Sequence, residues 1–183
     1  MRKFTIFIFT MGLLTFLYEN LSFAQRKKEV SSSIYDFKIL SLEGNEINFS
    51  QFRGKNLLIV NTASKCAYTP QYAELEKLHE QYGDKVVVLG FPANNFLWQE
   101  PGSNNEIGEF CQRNYGVKFL MFEKISVKGR SQHPLYKWLA AKSGHTPTWN
   151  FCKYFVDQEG KVVEFYSSKV SPLSPEIINQ ISN

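Results

Sequence analysis

The stretch Leu57-Leu58-Ile59-Val60-Asn61-Thr62-Ala63-Ser64-Lys65-Cys66-Ala67-Tyr68-Thr69-Pro70-Gln71-Tyr72 reads as a strand, a short loop and the first turn of a helix. Its opening apolar run, over 57–61, suits a strand covered on both faces, as in the middle of an α/β sheet. Thr69 and Pro70 signal the helix start. Tyr72, Leu75, Leu78 and Tyr82 then recur at helical spacing until Gly83, which gives a helix over 70–82. Cys66 lies in the loop between strand and helix. A helix N-terminus presents unpaired N–H groups and the positive end of the backbone dipole, and Lys65 adds a cation, so the position favours a thiolate over a thiol. Thr69 stands three places after Cys66, so there is no Cys-x-x-Cys pair, and a one-thiol nucleophile fits better than a dithiol exchanger. A lone cysteine is also a common core filler, and the rest of the chain decides between the two.

Working outward, residues 35–40 and 46–49 flank the turn Glu43-Gly44-Asn45 as an N-terminal β-hairpin, and 86–91 is a second continuous apolar strand. Ser103 followed by Glu106 forms a Ser-x-x-Glu capping box that opens a helix over 103–114, on which Ile107, Phe110 and Cys111 share one face. A helix over 134–142 follows. Residues 151–156 and 161–166 then flank Asp157-Gln158-Glu159-Gly160 as a hairpin, and Ser174-Pro175 opens a last short helix. This order predicts one α/β domain over 34–183 of thioredoxin-like build, a central mixed sheet flanked by helices with an N-terminal β-hairpin.

Two further segments carry chemistry: Gly90-Phe91-Pro92-Ala93-Asn94-Asn95-Phe96-Leu97-Trp98-Gln99-Glu100-Pro101-Gly102, and Trp149-Asn150-Phe151 ahead of an apolar run. Together with the Cys66 segment, Asn114-Tyr115-Gly116-Val117 and His133-Pro134-Leu135-Tyr136-Lys137-Trp138-Leu139, they resemble the glutathione peroxidase family from about Ile34 to near the C-terminus. The resemblance implies a peroxidatic cysteine, Cys66, surrounded by Gln99, Trp149 and Asn150. A thiolate attacking a peroxide oxygen needs donors that hold it ionised and stabilise the departing oxygen. An amide, an indole N–H and a second amide supply these without adding a base. Taken singly, Trp149 is equally a core aromatic, and Gln99 or Asn150 a turn residue.

The departures from the family pattern are specific. Ala93 stands where many members have a second cysteine, so that loop contributes no thiol. Leu97 and Trp98 replace small residues, which enlarges the loop carrying Gln99, and Trp98 is expected to crowd the cleft rim. Leu120 replaces a usual Pro, with no functional account. Cys111 lies in the Phe-Cys-x-x-Asn-Tyr-Gly context where non-selenium, thioredoxin-dependent members carry a resolving cysteine; its other reading is a buried structural thiol. Gly108, inside the same helix, costs about 1 kcal/mol relative to alanine and eases the local opening that resolution needs. Cys152 reads as a space-filler in a buried strand, with an off-pathway pairing to Cys66 as the alternative. The implied enzyme is a thiol peroxidase that reduces hydrogen peroxide and organic hydroperoxides through a Cys66 sulfenic acid. Cys111 would resolve that acid and a thioredoxin-like donor, or glutathione, would re-reduce the pair. The alternative is a peroxide sensor that relays oxidation to a partner protein.

Composition agrees with a single core: 183 residues, 43% apolar and 15% aromatic, with three cysteines and a formal charge of +4. Arg2 and Lys3, the apolar run from Phe4 to Leu17 and Ser22-Phe23-Ala24 have the regions of a signal peptide over 1–24, followed by a linker over 25–33. The expected location is therefore periplasmic or secreted, with no stable membrane insertion, because the apolar run is shorter than the roughly 20 residues a spanning helix needs. Arg26-Lys27-Lys28 is the one basic cluster, too small for a nucleic-acid footprint. His79, His133 and His145 show no ligand spacing with the cysteines, so no metal and no cofactor are expected beyond the thiol co-substrate. The short link between Lys142 and Trp149, where tetrameric animal members carry an insertion, points to a monomer or loose dimer.

Overall fold

The computed structural model describes Ser31 and residues 33–182; the signal-peptide expectation and most of the linker lie outside the described residues. A short hairpin pairs β1 (Lys38–Leu40) with β2 (Glu46–Asn48). β1 is shorter than its sequence pattern because Ile34–Asp36 closes a 3₁₀ turn, in which Ser33 and Asp36 satisfy each other's backbone N–H groups. The side chain of Asn48 accepts from Ser50 N–H and starts a second 3₁₀ turn, Phe49–Phe52, so β2 also stops early.

The remaining elements run β3 (Asn56–Thr62), α1 (Gln71–Tyr82), β4 (Val86–Pro92), α2 (Asn104–Tyr115), β5 (Leu120–Met121), α3 (Pro134–Ser143), β6 (Lys153–Val156), β7 (Val162–Tyr166) and α4 (Pro175–Ser182). The capping box on α2 forms as its spacing predicts, and Gly116 ends the helix in the left-handed conformation at φ 62°. β6 begins later than the apolar run because Phe151 itself takes φ 65° and turns the chain just before the strand. β5 is too short to leave a periodic signal. It places Leu120 opposite Leu89.

The five-stranded sheet has the order β5-β4-β3-β6-β7, with β5, β4 and β3 parallel and β6 and β7 antiparallel to their neighbours. It is the mixed sheet of a thioredoxin-like fold. Alternate residues of β3 divide between two cores: Leu57 and Ile59 join Leu89, Phe91, Tyr136 and Leu139 on the α3 side. Leu58 and Val60 join Tyr72, Leu75, Ile107, Cys111 and Ile177 on the side of α1, α2 and α4. This two-sided burial explains why β3 is apolar throughout rather than alternating. No helix among the described residues is long and apolar enough to cross a membrane.

Gly90, in the middle of β4, is required by close approach: a Cβ there would meet the Met121 sulfur and the Phe119 ring. Gly90→Ala is expected to destabilise the protein by about 1–3 kcal/mol through overpacking, seen as a lower urea midpoint at unchanged slope.

Candidate active site

Strand direction brings the three chemical segments to one edge of the sheet. β3 and β4 are parallel and end together, with Thr62 opposite Pro92, so the loops carrying Cys66 and Gln99 leave side by side. β6 runs antiparallel to β3, with Lys153 opposite Val60, so the Trp149-Asn150-Phe151 turn arrives at that same edge. Sites of α/β sheets recur at such carboxyl strand ends.

Cys66 is 9% exposed and precedes α1 by about one turn. Tyr68 N–H points at its sulfur, 3.4 Å away. Thr69 does not cap α1. Its hydroxyl accepts Cys66 N–H at 2.9 Å and donates to Ala63 C=O at 2.9 Å, folding the loop into a buried cross-braced turn. The sequence marked Thr69 only as a helix-start signal, whereas its hydroxyl sets the backbone of the nucleophile.

Of the other three residues, Gln99 and Asn150 are joined to this turn by hydrogen bonds. Lys65 N–H donates to Gln99 C=O at 3.0 Å, and Asn150 Nδ2 donates to Gln99 Oε1 at 2.8 Å. Asn150 is fully buried and its Oδ1 has no hydrogen-bond partner. Trp149 packs against both cores with its ring 5.7 Å from that of Phe96. The enlarged Gln99 loop is real: Leu97 and Trp98 both adopt left-handed backbone, at φ 52° and 53°, a costly conformation for side chains of this size. Trp98 is 78% exposed and Leu97 68%, so both point to solvent instead of closing over the cleft as the sequence suggested for Trp98.

Cys111 is buried on α2, in the same core as Cys66. Burial pushes its thiol up to about 11; the Tyr72 hydroxyl facing it pulls the other way, and the Glu100 carboxylate pushes further up. Glu100, next to Gln99, was not singled out in the sequence. Burial raises its carboxyl to about 7, offset in part by Ser64, Lys124 and Lys65. Although Ser64 faces it, neither carboxylate oxygen completes a hydrogen bond of ordinary geometry. Cys152 is fully buried with its sulfur 3.5 Å from Ser168 Oγ, consistent with space filling. All three thiols are free, and among the described residues no three His, Cys, Asp or Glu side chains converge where a metal could bind.

A glutathione peroxidase family model matches residues 34–140. The hydroperoxy fatty acid reductase of Synechocystis sp. is 44% identical over 155 residues, covering 79% of this chain and 92% of that protein. The glutathione peroxidase-like peroxiredoxin 2 of Saccharomyces cerevisiae is 47% identical over 151 residues, covering 79% and 93%. Among solved structures, that of Trgpx in apo form superposes with a TM-score of 0.65 at 35% identity, covering 84% of this chain and 98% of that one.

The Thr69 brace yields a direct test. Thr69→Val leaves a buried donor and a buried acceptor unpaired and is expected to cost about 1–3 kcal/mol in urea unfolding, with Thr69→Ser recovering most of the loss.

Proposed function

Since the chain belongs to the glutathione peroxidase family and is a peroxidase of the thiol type, we propose that Cys66 is its nucleophile, with Gln99, Trp149 and Asn150 as the donors around it and Cys111 as its resolving thiol. The observation that carries this reading is the hydrogen-bonded link from the Cys66 loop through Gln99 to Asn150, which ties three separate loops together at one strand edge.

In the first step the Cys66 thiolate attacks one peroxide oxygen. The O–O bond breaks with its electron pair on the departing oxygen, which takes up a proton from solvent and leaves as water or an alcohol, and Cys66 becomes a sulfenic acid. The donors stabilise charge where it develops. In the second step Cys111 attacks the sulfenic sulfur and water leaves, giving a Cys66–Cys111 disulfide. An external dithiol then reduces the disulfide by exchange, so the cycle uses a thiol co-substrate and no cofactor.

We take the reductant to be a thioredoxin-like protein, with glutathione as the weaker alternative. Substrates are hydrogen peroxide and organic hydroperoxides, in line with the relative named as a hydroperoxy fatty acid reductase. The N-terminal pattern supports export to the periplasm or beyond, and the short link after α3 supports a monomer or loose dimer.

Cys66→Ser is expected to abolish peroxide reduction with the fold intact, as seen by circular dichroism. Steady-state turnover with a dithiol donor separates a peroxidase from a sensor, which would give a single burst and a partner-linked adduct. Cys111→Ser is expected to take one oxidation normally, stall with thioredoxin-like donors and pass to the sulfinic acid at high peroxide. Cys111 leaves its buried place only if α2 opens, and Gly108 has room for a methyl group, whose nearest neighbour is Leu42 Cδ1 at 3.8 Å. Gly108→Ala is therefore expected to stabilise α2 by up to about 1 kcal/mol and slow disulfide formation by up to about 5-fold in quench-and-map experiments. Protein recovered from its own cells is expected to begin after Ala24, as read by intact mass.

A further inference from the structure

Leu97 and Trp98 stand apart from the other large apolar side chains: they are adjacent, 68% and 78% exposed, and both in left-handed backbone. Leu40 and Val163, the other exposed large apolar residues among the described ones, stand singly at 40% and 37%. Single exposures of that kind are ordinary on a protein surface. Two bulky neighbours held outward in a costly conformation are not.

The turn that presents them is fixed at its root. Gln99 N–H donates to Phe96 C=O at 3.2 Å, which closes a four-residue turn with Leu97 and Trp98 at its tip. Phe96 is buried, with the Trp149 ring 5.7 Å from its own and Lys128 Nζ 4.9 Å over its face. Asn95 clamps the loop that carries Lys128 alongside: its Oδ1 accepts Val127 N–H at 2.7 Å and its Nδ2 donates to Ser126 Oγ at 2.9 Å. On the other side Lys65 N–H donates to Gln99 C=O at 3.0 Å. Residues 64–68, 93–99 and 125–132 therefore meet around the tip, and they carry Lys65, Lys128 and Arg130 with no Asp or Glu. All three cations are exposed, and the ion pairs among the described residues involve other groups. Glu100, the acid that follows the turn, is buried.

We propose that the Leu97–Trp98 tip, with Lys65, Lys128 and Arg130 around it, is a docking surface for an anionic lipid bilayer, on which the protein rests reversibly without crossing it. The indole sits at the level of the head groups, the leucine enters the upper acyl region, and the ammonium and guanidinium groups pair with lipid phosphates. Two projecting side chains are few for a protein interface, which takes about 20–30 residues a side, but they suffice as a wedge in a fluid surface. A single apolar signal holds a protein to a membrane only marginally, and the basic rim supplies the second signal. The tip is one residue from Gln99, so docking brings the sheet edge that carries Cys66 to the membrane surface. The surface does not depend on the role assigned to Cys66.

The test is sedimentation of the purified protein with lipid vesicles. Binding to phosphatidylcholine vesicles containing about 30% phosphatidylglycerol is expected to be at least about 10-fold stronger than to phosphatidylcholine alone, and to weaken as salt is raised. Lys128→Gln combined with Arg130→Gln is expected to remove about 5-fold per charge on the anionic vesicles and little on the neutral ones. Trp98→Gly is expected to lower binding at least about 5-fold, with a urea midpoint no lower than that of the wild type because glycine accepts the left-handed backbone. Lipids brominated near the top of the acyl chain are expected to quench wild-type tryptophan fluorescence, and Trp98→Gly to lose that quenching. Trp138 and Trp149 pack in the cores and residues 1–24 contain no tryptophan, so the quenched indole reports the tip. Failure to bind anionic vesicles overturns the proposal. So does binding that Trp98→Gly leaves unchanged, or that proceeds without quenching, because the contact then lies on another segment such as Arg26-Lys27-Lys28. A Trp98→Gly protein that binds vesicles normally but has a raised KM for a thioredoxin-like donor assigns the tip to a partner protein and overturns it as well. Cys66→Ser is expected to dock as the wild type does, so failure of the nucleophile assignment and failure of docking are read separately.

Discussion

Asn61, the penultimate residue of β3, is the constraint on which the site depends. Its C=O accepts Phe151 N–H at 2.6 Å, its N–H donates to Cys152 C=O at 3.3 Å and its side-chain amide donates to Trp149 C=O at 2.9 Å. One buried residue therefore pins the whole Trp149–Cys152 turn against the strand that leads to Cys66. The pinning holds Phe151 in left-handed backbone, a conformation costing on the order of 1–3 kcal/mol that persists because its ring is wholly buried edge-on to Tyr72. From this turn Asn150 reaches Gln99, and from Gln99 the network returns to Lys65.

Electrostatics divides the interior into satisfied and unsatisfied polar groups. Lys153 is fully buried, and burial lowers its ammonium to about 8, yet it donates to Gln71 Oε1 and Val170 C=O at 2.6 Å each. It is a strap from β6 to α1 and to the chain ahead of α4. Glu76 likewise uses one carboxylate oxygen to hold Lys118 and Phe119 N–H. Glu100 has no such closure. Its raised carboxyl means that the folded state holds the proton more tightly than the unfolded chain. The resulting stability is fully present below the ordinary carboxylate range and is lost as pH rises through about 7. α2 carries Cys111, and it is the element that must move if Cys111 is to reach Cys66.

The single-thiol loop, the capped α2 and the order of strands and helices are written in local patterns: Ser103 with Glu106, the spacing of Tyr72, Leu75 and Leu78, and the unbroken apolar runs of β3 and β4. Those signals depend on neighbours within about one helical turn or a few strand residues, which is why they survive without any tertiary information. The strand bounds near Ser33, Asn48 and Phe151 were less legible, because a side-chain cap or a single left-handed residue overrides a strand propensity. β5, at two residues, has no period to read.

By itself the sequence determined the class of fold, the nucleophile candidate and, through three ordered motifs, the polar residues grouped with it. Only the tertiary structure decided that Thr69 braces the Cys66 turn, that Asn61 anchors Trp149, that Trp98 faces solvent and that Glu100 lies buried with both carboxylate oxygens unpaired. The physical reason is that pattern and propensity act over short distances along the chain. Burial and hydrogen-bond partnership between residues such as Asn61 and Trp149 exist only once parallel β3 and β4 and antiparallel β6 have brought their loops to one edge.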